Sequence, residues 1–267
     1  MSYFKLIIFS IVLFSLDSCK ESSSLETVQS QKIPIDFFSK EFDYLPSSTT
    51  NQIIHHDYYS LSYSETHEQS EWVAYELEKV YITSKNFKRP YFNQDPKVTT
   101  QSADWKNFKN TGYDKGHLVP AGDMKFSEEA YEDTFFTSNA SPQLSTFNNG
   151  IWNRLEQKVR YWAQKYDGIY VITRGVLEAE LRNIGNEEVA VPNYFYKVLL
   201  DIENEKKQVK MIAFLVPHEA SNRPLYEFVV SVDELEQLTG IDFFTNLPDG
   251  VEINLESKSD YKAWSFN

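Results

Sequence analysis

The stretch "TGYDKGHLVPAGDMKFS", residues 111–127, places one histidine in a setting that the other histidines of the chain do not share. His117 follows Lys115-Gly116, lies between Asp114 and Asp123, and is bounded by Gly112 and Gly122. With an unperturbed pKa of about 6.5, an imidazole in such a setting suits a general base, a metal ligand or a plain turn. Gly116 beside it lets backbone approach a ligand closely. The residues around it have to decide among the three.

Upstream, "EWVAYELEKVYIT" (71–83) alternates like a strand, and residues 84–112 are polar, Pro-containing and poorly periodic. An excursion of that length within a domain is usually functional. Downstream, "SEEAYEDTFF" (127–136) predicts a short helix with Ser127 as N-cap. From Ile151 the apolar residues Leu155, Val159, Trp162 and Tyr166 recur at three or four, which predicts an amphipathic helix with Lys165 near its end. "GIYVIT" (168–173) reads as a buried strand. "YFYKVLLDI" and "QVKMIAFLVP" read as a hairpin, and "YEFVVSVDELEQLTG" as a strand entering a helix capped by Ser231 and Glu234 and stopped at Gly240. Strands and helices mix without a βαβ rhythm. The expected class is therefore α+β, a mostly antiparallel central sheet with flanking helices in one domain over 51–267.

A second cluster of candidates stands at that amphipathic helix. Asn148 enters it and Glu156 follows eight residues later. On a straight helix they are roughly 80° apart and share one cleft, with Trp152 between them. An Asn carbonyl is a hard oxygen donor suited to Mg2+, and as a neutral ligand it leaves the cation's charge uncompensated. Asn139 stands nine residues before Asn148. A base beside a cation held in this way is what phosphodiester hydrolysis needs: one activates water, the other stabilises charge at phosphorus and on the leaving oxygen.

The pieces "DKGH" (114–117), "SNASPQ" (138–143) and "NNGIWNRLE" (148–156) together resemble the DNA/RNA non-specific endonuclease family. These are the ββα-metal or His-Me finger nucleases, which include mitochondrial endonuclease G. The likeness runs through "VPNYFYKVLLD" and "MIAFLVP" to "SVDELEQLTGIDFF", roughly residues 70–250. It implies a ββα-metal active-site motif. His117 would be the general base and Asn148 the direct ligand of Mg2+, with Mn2+ or another divalent cation as substitute. Glu156 would hold metal-bound water, and Asn139 would support base and phosphate geometry. Arg89 in "KRPYFNQDP" matches, across an insertion, an upstream phosphate-binding arginine. Asp114 would organise the motif's turn. Lys115 stands where arginine is commoner, which keeps the charge at the phosphate but loses the planar fork. Arg174 in "VITRGV" interrupts a Thr-Gly step of the family; it is either a phosphate contact or a surface insertion. The implied substrates are DNA and RNA, cut to 5′-phosphate and 3′-hydroxyl ends, and a homodimer is expected from the resemblance alone.

The charge of the chain fits unevenly with a polyanion. Net charge is −13 over 267 residues, yet residues 85–125 carry eight basic side chains against Asp95, Asp104, Asp114 and Asp123. The acid concentrates elsewhere, notably in the C-terminal third. A basic strip on an acidic body suits salt-sensitive phosphate binding; a solvated face of mixed charge is the plainer meaning.

The start of the chain reads separately. Lys5, an apolar run from Leu6 to Leu16 and Cys19, the single cysteine, form a signal-peptide pattern ending in "LDSC", which resembles a bacterial lipobox. Residues 1–18 are expected to be a lipoprotein signal peptide, Cys19 the lipidated residue, and 19–50 a polar tether and N-terminal extension. The corresponding location is the cell envelope, lipid-anchored, facing periplasm or surface. Two other classes stay open on sequence: an envelope lipoprotein that binds nucleic acid or protein without catalysis, and a phosphodiesterase for small substrates. Glu156 could also be only the i+4 partner of Arg160. His55, His56, His67 and His218 carry no motif.

Overall fold

Along "SEWVAYELE" the side chains divide by parity. Val73, Tyr75 and Leu77 enter one apolar cluster, Trp72 and Ala74 another. A strand buried on both faces in this way must be covered on both sides. The same division holds further on, with Phe195 and Leu199 in the first cluster and Tyr196, Val198 and Leu200 in the second. These strands form the centre of a layered α+β domain.

The computed structural model describes residues 33, 37–38, 41–203 and 205–266. The expectations for residues 1–18 and for Cys19 lie outside the described residues. Strands β1 (Ile53–His55), β2 (Ser60–Ser64), β3 (Gln69–Glu78), β6 (Gly168–Gly175), β9 (Tyr194–Glu203), β10 (Gln208–Pro217) and β11 (Val229–Val230) form one sheet, in the order β1-β2-β3-β6-β9-β10-β11. Every neighbouring pair is antiparallel, and the expected hairpin closes with Gln208 opposite Glu203. β7 (Arg182–Ile184) and β8 (Val189–Val191) make a small separate hairpin.

After two short helices, α1 (Glu128–Asp133), capped by Ser127, and α2 (Ser145–Phe147), one face of the sheet carries α3 (Asn153–Tyr166), which buries Leu155, Val159 and Trp162 against Tyr75, Val171 and Phe214. The other carries α4 (Val232–Thr239) and α5 (Asp249–Glu256), with Val232 and Leu235 packed beside Trp72, Tyr196 and Phe243. Ser231 Oγ accepts from the Glu234 amide and Gly240 ends α4 at φ +69°, as the capping pattern requires.

One boundary differs from expectation. The domain starts before residue 51. Trp72 Nε1 donates to Ser47 O (2.8 Å), and Ser48, Thr49 and Thr50 all hydrogen-bond the Glu71 carboxylate. A buried carboxylate and an indole N–H need partners, and residues 47–50 supply them, so this end of the expected tether is part of the fold. Where the excursion expected over 84–112 ends, a strand begins: β4 (Tyr113–His117) pairs antiparallel with β5 (Ala140–Leu144), His117 opposite Ala140 and Asp114 opposite Gln143. β4, β5 and α3 supply the ββα arrangement expected from the motifs.

Candidate active site

The β4–β5 hairpin holds the histidine rigidly. Leu118 N donates to Asn139 O, and the Asn139 side chain brackets the same segment, with Oδ1 accepting from Val119 N (2.8 Å) and Nδ2 donating to Val119 O and Thr134 O. Asn139 is fully buried. Its amide is spent on backbone, so it positions the turn after His117 and does not touch substrate. That corrects the expectation of a phosphate contact at Asn139.

The His117 ring lies between Phe92 (centroids 5.1 Å) and Phe135 (4.8 Å, edge-on), and its Nε2 is enclosed with no hydrogen-bond partner. Burial, then the nearby Arg89 guanidinium, lower its pKa to about 3. The ring is neutral at working pH and thus in the form a base requires. Arg89 itself is exposed and sits 5.5 Å from the Phe135 ring centroid. Lys115 stands close by, its Nζ 5.6–5.9 Å from the rings of Phe92, Phe108 and Trp105. Burial and Arg89 lower the Lys115 pKa, against Asp114. The structure therefore brings Arg89, Lys115 and His117 together: two cations beside one neutral imidazole.

Asn148 faces the same hairpin. Its Nδ2 donates to Asp114 Oδ2 (3.1 Å), and Asp114 Oδ1 accepts from Ser145 Oγ (2.7 Å). Asp114 thus lies within a strand and orients Asn148, in place of the turn-organising role expected for it. With its nitrogen committed, the amide presents Oδ1 as a free hard-oxygen donor. This donor chemistry fits Mg2+ or a similar divalent cation.

Between Asn148 and α3 the chain makes a π turn, Asn148–Trp152, with Gly150 at φ −98°, ψ −110°. Helical phase does not run through it, so the roughly 80° separation of Asn148 and Glu156 on a straight helix does not apply. Glu156 follows on α3 and faces a charged cluster of Asp123, Arg160 and Lys197. Arg160 Nη1 pairs with Asp123 Oδ1 at 2.5 Å, and Tyr75 Oη donates to Asp123 Oδ2 (2.8 Å). Arg160 is therefore taken by Asp123 and not by Glu156. Burial pushes the Glu156 carboxyl up, against the pull of Lys197. Lys197 is fully buried, donates to Thr173 Oγ1 and lies 4.6 Å from the Trp152 ring centroid. Asp123 and Lys197 were absent from the expected site. Only three-dimensional pairing of β9 with β6 brings Lys197 beneath α3.

Two further expectations change. Gly116 is not open to substrate: a Cβ there would overlap the buried Gln143 side chain. Arg174 is neither a surface insertion nor a phosphate contact. It lies within β6, 2% exposed, opposite Tyr196 and on the sheet face away from α3. The remaining histidines stay outside the site; His218, for instance, accepts from the Leu144 amide and bonds Pro192 O.

The basic strip gains in effect on folding. Asp95 and Asp123 are fully buried, while none of the eight basic residues of 85–125 is. Asp104 and Asp114 are the acids that remain partly exposed among them.

A family model described as DNA/RNA non-specific endonuclease matches residues 38–250, and the chain belongs to that family. Among its relatives, a protein named "Nuclease EXOG, mitochondrial" from Danio rerio is 35% identical over 202 residues, covering 70% of this chain and 59% of the relative. "Endonuclease G, mitochondrial" from Homo sapiens is 29% identical over 203 residues, covering 71% and 68%. A chain in the crystal structure of the EndoG/EndoGI complex superposes with a TM-score of 0.71 at 26% identity, covering 77% of this chain and 89% of that one. The chain spans less than two thirds of the length of the EXOG nucleases it matches.

Proposed function

We propose that this protein hydrolyses phosphodiester bonds of DNA and RNA without reading their sequence, with His117 as general base and Mg2+ held through Asn148. The observation that carries the reading is the convergence of a neutral, hairpin-held imidazole, two cations and an oriented amide oxygen on one hairpin. Arg89 and Lys115 bind the phosphate beside His117. The phosphate charge offsets the Arg89 guanidinium, and the imidazole regains basicity as substrate arrives. Nδ1, the ring nitrogen that is not enclosed, takes the proton of the attacking water. Asp114 keeps the Asn148 oxygen turned to its ligand. Bound Mg2+ supplies charge neutralisation at the phosphoryl oxygens and at the departing oxygen. Glu156, on α3 after Asn148, is the residue that would hold metal-bound water, with Lys197 as a neighbouring positive charge. With contacts limited to phosphate, binding is steeply salt-dependent and blind to sequence.

The test is nicking of supercoiled plasmid and degradation of single-stranded RNA, with Mg2+ and with EDTA. His117→Ala is expected to lose about 100-fold or more in rate while melting as a folded protein. Near-normal turnover by that variant, or binding of plasmid without cleavage by the parent, would sink the reading. Activity on a chromogenic diester with none on polymer would shift it to small substrates.

The N-terminal reading rests on residues 1–19 of this chain alone, since the relatives named above are mitochondrial by name. We propose a lipid on Cys19 and envelope anchoring; Cys19→Ala should move the protein from the membrane to the soluble fraction, and an unchanged distribution would refute the anchor.

A further inference from the structure

Five acidic residues of the C-terminal third converge on one place, on the sheet face away from α3. α4 supplies Asp233 and Glu236, the segment after it Asp242, and α5 Glu252 and Glu256. Carboxylate oxygens of Asp233, Glu236 and Glu256 lie within 4.8 Å of one another, and so do those of Asp242, Glu252 and Glu256. Glu256 is common to both groups.

Glu256 is also the least comfortable of the five. It is 6% exposed, and its Oε1 is enclosed without a hydrogen-bond partner. Leaving such an oxygen unpaired carries its full desolvation penalty. The residue ends α5, whose last turn holds no basic side chain, so the negative end of the helix dipole adds to the repulsion. Among the described residues no Lys, Arg or His forms an ion pair with any of the five. Elsewhere the fold does supply such partners: Asp123 has Arg160, and Asp201 has Lys210. Among the described residues this cluster has no such partner.

We propose that this cluster binds Ca2+, with Glu256 as the shared ligand that ties α4 to α5. The donors are all oxygens, which disfavours zinc and copper. They come from three separate segments and can act in one- or two-oxygen modes. Ca2+ accepts six to eight such oxygens in flexible geometry, whereas Mg2+ demands a small regular octahedron and keeps its waters. Protons compete with the metal for carboxylate oxygens, so binding strengthens as pH rises. Bound, the ion would hold α4 and α5, and with them Val232, Leu235 and Val251, against the sheet. It would be distinct from the divalent site at Asn148, which belongs to the opposite face.

The experiment is calorimetric titration of the chelator-stripped full chain with CaCl2 at pH 8, together with melting curves. The wild type should bind Ca2+ and melt about 5 °C higher in 1 mM CaCl2. Glu256→Gln should lose both responses and leave Mg2+-dependent plasmid nicking unchanged. Asn148→Ala should keep both. Should Glu256→Gln not fold, the double variant Asp233→Asn/Glu236→Gln, at half-buried positions, is expected to lose the same two responses. Absence of Ca2+ binding by the wild type, retention of the response in the cluster variants, its loss in Asn148→Ala, or a larger shift with MgCl2 would each overturn the proposal.

Discussion

Asp114 and Asn148 are joined by one hydrogen bond, Nδ2 to Oδ2 at 3.1 Å, across 34 residues of sequence. It ties the strand that carries His117 to the turn that enters α3. The base and the candidate metal ligand therefore share one rigid connection, and a change at Asp114 should act on both. Asp114→Ala frees the Asn148 amide to rotate. The half-saturating Mg2+ concentration for plasmid nicking is expected to rise about 10–100-fold, the usual cost of losing an orienting partner. A magnesium titration that superposes on the wild type would remove Asp114 from this role.

Much of this centre is legible in the sequence, and the reasons for the rest are specific. "DKGH", "SNASPQ" and "NNGIWNRLE" mark its parts through their joint resemblance to the family, and "DKGH" alone is a weak signal. β4 is not legible. Its residues are polar and Gly-flanked, and it is a strand only because β5 pairs with it. Asn139 reads as a site residue because its polarity is visible and its burial is not. The i+4 spacing of Glu156 and Arg160 suggests a pair, but Asp123, 37 residues before Arg160, takes the guanidinium first. Lys197 sits in an apolar strand pattern, where nothing local announces that Glu156 lies opposite. The sheet itself, built from alternating strands such as Gln69–Glu78, was expected and is present.

Arg89 is the second cause, after burial, of the low His117 pKa. Arg89→Ala should therefore raise that pKa above about 3 while leaving it below the ordinary 6.5, since burial between Phe92 and Phe135 persists. Titration of the ring by NMR reads this directly, and an unmoved or lowered value would contradict the arrangement. The same depression bears on stability. Between pH 3 and 6.5 the unfolded chain binds the proton that the folded ring refuses. The contribution is thus complete above pH 6.5 and is lost as pH falls towards 3. His117→Ala should show a smaller loss of melting temperature than the wild type between pH 7 and pH 4.5.

Gly116 is held to glycine by Gln143 and not by substrate. Gln143 is fully buried, and neither its Oε1 nor its Nε2 has a partner, so moving it breaks no hydrogen bond but the packed interior leaves it little room. Gly116→Ala is expected to destabilise by about 1–3 kcal/mol through overpacking. Gly116→Ala combined with Gln143→Ala should recover most of that loss, because the second change vacates the space. Chemical denaturation of the single and double variants measures the coupling. Additive losses would mean that the two side chains do not compete for one volume.

Arg160 neutralises a carboxylate that has no access to water. Asp123 is 0% exposed, it also accepts from Tyr75, and it lies in the turn that follows the His117 strand. Removing the guanidinium leaves that charge buried beside Glu156, which is itself already pushed up by burial. Arg160→Ala should therefore cost about 3–5 kcal/mol, the range for breaking a buried pair from one side. Arg160→Ala with Asp123→Asn should cost less than Arg160→Ala alone, since the orphaned charge is gone while Tyr75 keeps an oxygen to donate to. Urea unfolding at pH 7 separates these outcomes. A single variant within 1 kcal/mol of wild type would show that water reaches Asp123 and that the pair is not what holds the turn after His117 on α3.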